Sequence, residues 1–166
     1  MLAIRLVKTM MVVSIALFAL LVAYNNIVDY GSNYNFVRHT FAMDTTFPDN
    51  ALKGRALTSP VAWTLAYWLI ILIEAVTGIV LAFAAWRLAR RLRHAALFNA
   101  AKAYVVIGVG LGFLLWFAGF MVLGGEWFLM WQSKQFNGQE AAFHFYITLL
   151  AVGIFVILPD GEVTSA

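Results

Sequence analysis

Apolar residues run almost unbroken through 7–24, 61–86, 103–123 and 141–158, and most polar residues fall between these runs. Each run approaches or exceeds the ~20 residues that a helix rising 1.5 Å per residue needs to cross ~30 Å of hydrocarbon. The pattern predicts four transmembrane helices. Lipid offers the backbone no hydrogen bonds, so apolar runs of this length satisfy their own amides as helices. The ~10-residue alternating strands of a membrane barrel do not occur in the sequence.

The segments between the runs carry their own signals. Asn25 to Pro60 is the longest, and Tyr30, Tyr34, Phe36, Phe41 and Phe47 make it too aromatic for a passive linker. A turn is expected at Asp29–Ser32. A short helix is expected from Asn35 to Met43, with Phe36, Val37 and Phe41 on one side and a place on the membrane surface. Ser59 followed by Pro60 reads as an N-cap and first helical residue of the second span. Small residues spaced by four, Gly78/Ala82 and Gly108/Gly112, mark places where helices approach closely, and packing within the bundle explains them better than a dimer face. After Leu123 the chain turns polar and aromatic. Trp127 and Trp131 suit the headgroup level of a bilayer, and Asn137–Gly138 supplies a turn before the fourth span.

Composition turns this pattern into a class. The chain is 63% hydrophobic and 11% charged, with a mean hydropathy of +0.85, against roughly 45–50% and 25% in soluble domains. The expected fold is all-α, a four-transmembrane-helix bundle with an ordered extracytoplasmic loop between helices 1 and 2. At 166 residues it forms a single integral membrane domain. There is no cysteine, so no disulfide, thiolate nucleophile or cysteine metal site arises.

Charge distribution predicts the orientation. Arg87, Arg90, Arg91, Arg93 and Lys102 crowd the connection between the second and third runs, and Arg5 and Lys8 stand at the start of the first. By the positive-inside rule these segments, and hence both termini, face the cytoplasm. The other connections mix Arg38, Lys53, Arg55 and Lys134 with acids. The face formed by Arg87, Arg90, Arg91 and His94 is explained by topology and anionic lipid, so nucleic acid is not an expected partner. The first run imitates a secretory signal peptide ending at Ala23. Leu21 fits poorly three residues before a cut, so retention is expected.

Few residues offer chemistry. Glu74 lies near the middle of the second run, where a charged side chain costs roughly 2.5–3.5 kcal/mol on insertion scales and must face protein or water. Ser14 on the first span and Thr148 on the fourth are its expected partners at similar depth, with Thr77 nearby on its own helix. Such a site could relay a proton or cation, anchor another subunit, or be a hydrogen-bonded glutamic acid of purely structural role. His39 and His144 come from unrelated segments and make a weak metal or haem pair. Asp44, Asp49 and Asn50 lack the spacing of a calcium loop and read as turn residues. No catalytic, cofactor-binding or metal-binding set emerges.

The segments VDYGSNYNFVRHTFAMDTTFP, GGEWFLMWQS and NGQEAAFHF resemble a bacterial family of predicted small integral membrane proteins, a domain of unknown function, along nearly the whole chain. The resemblance implies four spans in a bacterial inner membrane and supplies no activity. That family's pattern has an arginine where this chain has His144, which counts against a metal or haem role there.

The expectation is therefore a non-enzymatic accessory or interaction protein without cofactor. Its partners are the lipid bilayer and another membrane protein or further copies of itself. Its extracytoplasmic face should be a polar and aromatic cap in which Asp29, Arg38, Asp44, Glu126, Trp127, Trp131 and Gln132 meet. One alternative is a proton or cation transporter or channel component using Glu74. Another is a quinone- or haem-binding membrane anchor subunit.

Overall fold

The computed structural model describes residues 2–162. Among them there is no strand, and the order of elements is α1 (Leu2–Val28), α2 (Tyr30–Ala42), a one-turn 3₁₀ helix (Lys53–Arg55), α3 (Pro60–Ala89), α4 (Ala95–Phe113), a π-wound continuation (Leu114–Trp127), a second 3₁₀ turn (Met130–Gln132) and α5 (Gln139–Ile157). Four helices are long and apolar enough to cross a membrane: α1, α3, α4 with its continuation, and α5. Large apolar side chains such as Leu17, Leu65, Ile79, Leu114 and Ile154 point outward from all four. In water that surface would be unstable; in hydrocarbon it is the ordinary exterior of a bundle.

The helices start and stop where local chemistry directs. Ser59 Oγ accepts the amide of Ala62, and Pro60 occupies the first position of α3. Asn137 Oδ1 accepts the amide of Gln139 at the start of α5. The expected turn at Asp29–Ser32 contracts to Asp29 alone, because α1 runs to Val28 and α2 begins at Tyr30. Helix α2 also packs on α3, with Val37 against Tyr67 and Ile71.

Close approach explains the small residues. A Cβ on Gly78 would lie 2.6 Å from Leu20 Cγ of α1, one on Gly108 2.6 Å from Leu81 Cγ of α3, and one on Gly112 2.5 Å from Leu149 Cδ1 of α5. Without strong hydrophobic drive between helices in lipid, such contacts carry the association. The glycines therefore seat side chains of their own bundle. Val12, Ile15, Leu81, Leu88, Val105, Trp116, Leu149 and Val156 form the core between them.

Candidate functional site

Two polar regions are built into this bundle. The first lies beneath α2. Helices α1 and α3 run antiparallel in a register that sets Leu20 against Gly78 and Asn26 against Glu74. Asn26 Nδ2 donates to Glu74 Oε2 at 2.7 Å, Asn33 Nδ2 of α2 donates to Asn26 Oδ1 at 2.5 Å, and Tyr67 Oη donates to the carbonyl of Asn26 at 2.9 Å. Asn26 is thus the hub, with its amide and its main chain both engaged. Glu74 and Asn26 are buried.

Ser14 and Thr148 are not the partners of Glu74. Asn26 lies 12 residues further along α1 than Ser14, roughly 18 Å at 1.5 Å per residue, so the observed register carries Ser14 well past the depth of Glu74. The Ser14 hydroxyl donates to Met10 O and that of Thr148 to His144 O, each on its own helix and exposed. Such back-bonding needs no second helix. Thr77 is buried, and its hydroxyl finds no partner among the described residues.

A cavity of about 360 Å³ opens beside Glu74, bounded by Asn26, Asn33 and Tyr67 on one side and by Trp116, Phe120 and Phe145 on another. Asn25, Asn33 and Ala141 at its edge are exposed. Polar groups lead from Asn33 to Glu74, with the Thr77 hydroxyl one turn further along α3. Toward the chain termini α3 continues with the buried Leu81, Ala84 and Leu88.

Above this cavity the two polar segments meet. Thr45 Oγ1 donates to Ser133 Oγ at 2.9 Å and the Phe47 amide to Gln132 Oε1 at 3.1 Å. The rings of Phe41 and Phe128 stack at 4.5 Å, and those of His39 and Phe136 at 4.3 Å. Met43 and Leu129, with φ of 49° and 54°, are the non-glycine residues of positive φ among those described, and both are buried against Phe128. Backbone strain of this kind persists where surrounding packing over-determines it.

The seven residues expected in a cap distribute unevenly. Gln132 bridges the segments through its side chain, and Trp131 meets Phe47 edge-on at 5.9 Å. Arg55 lies 4.7 Å over the Trp127 ring and reaches the carbonyls of Glu126 and Trp127, so Glu126 takes part through its backbone. Asp44 accepts from or pairs with His39 Nδ1 at 2.9 Å within its own segment. Asp29 accepts only the local Ser32 hydroxyl, and Arg38 lies over Trp63 of α3. These last two do not join the segments. His144 sits beside Phe143, and His39 and His144 make no shared contact.

The second polar region lies at the end of the bundle that carries the termini. Arg5, Lys8 and Lys102, read in the sequence only as topology signals, are buried. Lys8 and Lys102 both donate to Asp160 Oδ2, at 2.8 and 2.5 Å, and both reach the carbonyl of Leu158. Arg5 donates to the carbonyls of Leu92 and Gly161. Asn99 receives the Asp160 amide and donates to its carbonyl. Burial alone would raise the Asp160 carboxyl, but hydrogen bonds and charge from Lys102 and Lys8 outweigh it and hold it below the ordinary carboxylate value. The only advance signal is the acid Asp160 just past an apolar run, facing three bases that also flank runs.

A family model described as predicted small integral membrane protein (DUF2165) matches residues 4–159. No curated protein and no solved structure matches the chain.

Proposed function

The chain belongs to that family of predicted small integral membrane proteins, and from this premise we propose that it is a non-enzymatic accessory protein of a bacterial inner membrane. Its termini lie in the cytoplasm and its cap outside, where the cap engages another membrane protein. The orientation is supported by seven basic residues at the terminal end of the bundle against four in the other connections.

One observation carries the reading. Two polar segments whose paired residues lie 85 and 88 positions apart fold onto each other, yet leave Phe47, Trp127 and Trp131 about half exposed. Passive connections require neither the joint nor the exposed rings, whereas interaction surfaces favour rigid aromatic anchors held by a buried base. Transport through Glu74 fits less well, because polar groups enter from the cap end and meet an apolar seal at Leu81 and Leu88.

Photo-crosslinking in native membranes tests the proposal. A photoreactive residue at Trp131 is expected to give a discrete protein adduct, and one at the outward-facing Ile154 only lipid adducts. Lipid adducts alone at both positions would remove the cap from partner recognition.

A further inference from the structure

The cavity beside Glu74 is a second feature with its own chemistry, independent of what the cap binds. Its floor is a carboxyl group in which Oε2 accepts the Asn26 amide, while Oε1 has no hydrogen-bond partner among the described residues. Its walls are the rings of Trp116, Phe120 and Phe145. No lysine, arginine or histidine lines it, and the buried bases Lys8 and Lys102 are engaged by Asp160 at the opposite end of the bundle. A buried acid with a free oxygen and no countercharge, facing aromatic rings, is complementary to an ammonium group on an apolar body. The carboxyl supplies charge and a hydrogen-bond acceptor, and the ring faces attract the cation. The volume of about 360 Å³ falls within the roughly 300–1,000 Å³ range of small-ligand sites. The exposed Asn25, Asn33 and Ala141 at the edge give it an opening.

We infer that this cavity binds an amphipathic organic ammonium ion, its nitrogen on Glu74 and its apolar part among Trp116, Phe120 and Phe145. The same chemistry is offered by a small free amine and by the headgroup of phosphatidylethanolamine.

The protein in nanodiscs of phosphatidylglycerol, titrated calorimetrically with phenethylammonium, tests this inference. Glu74→Gln keeps an oxygen for the Asn26 amide and removes the charge. It is expected to weaken binding by at least about tenfold, the scale of one charge-assisted hydrogen bond. The neutral isostere 2-phenylethanol should bind both proteins alike. Ala141→Trp, which narrows the mouth from an exposed position and leaves Glu74 intact, should also abolish saturable binding, and it decides the matter if Glu74→Gln fails to fold. Adding phosphatidylethanolamine to the nanodiscs then identifies the source: competition with phenethylammonium assigns the site to the headgroup, and undiminished binding assigns it to a free amine. Equal phenethylammonium binding by the wild type and Glu74→Gln, or full affinity in a folded Ala141→Trp, would overturn the assignment.

Discussion

Asp160 pairs with two buried lysines at once, so its loss exposes more than one contact. In Asp160→Asn, Lys8 and Lys102 remain buried opposite a neutral amide, and breaking a buried pair in this way costs about 3–5 kcal/mol. A correspondingly lower unfolding midpoint in detergent is expected, and an unchanged midpoint would show that the cluster contributes nothing. The acid dependence follows from the depressed carboxyl. A group whose folded value lies below its unfolded value stabilises fully above the unfolded carboxylate range, and that contribution disappears as pH falls through the folded value. The wild type should therefore lose stability on acidification, and Asp160→Asn should lose less over the same interval. Sequence identified Glu74 as buried and polar because an acid inside an apolar run is conspicuous. It did not identify Asn26 as the partner, since that depends on the register of α1 against α3. The burial of Arg5, Lys8 and Lys102 was not legible for a related reason: it depends on the residues after α5 returning to cover them.

At the scale of helices, the contacts of individual glycines separate two kinds of position. A Cβ at Gly78 would stand 2.9 Å from the backbone nitrogen of Leu20 as well as against its side chain, whereas one at Gly110 would meet nothing within 4 Å. Gly78→Ala should force α1 and α3 apart at an overpacking cost of about 1–3 kcal/mol. Gly110→Ala should be neutral or stabilising, by up to about 1 kcal/mol of helix propensity. Thermal unfolding of the two variants side by side checks this, and equal midpoints would contradict the packing described. The four apolar helices were legible because lipid-facing runs declare themselves by length and composition. Their ends were less so. Helix α4 begins at Ala95 and its continuation reaches Trp127, beyond both limits of the apolar run, because polar residues such as Asn99 and Lys102 are satisfied inside the protein.

The whole molecule is a bundle whose two ends are finished differently. A buried charge cluster ties the residues after α5 to α1 and α4. At the other end a strained aromatic joint links the segment after α1 to that before α5. The presence of a cap could be anticipated from two aromatic segments on one side of the topology, but its contacts could not. They run through Thr45, Ser133 and Phe128, ordinary loop residues by composition, and Phe41 of α2, while the more conspicuous Asp29 turns to Ser32 and Arg38 to Trp63 of α3. The chain has no cysteine, so Thr45→Cys/Ser133→Cys introduces a pair at hydroxyls 2.9 Å apart and tests joint and orientation together in sealed cells. A disulfide should form on mild oxidation, be absent from either single variant, and open with a reductant that cannot cross the membrane. A pair that stays reduced, or a disulfide that this reductant reaches only after lysis, would contradict a closed cap on the outer side.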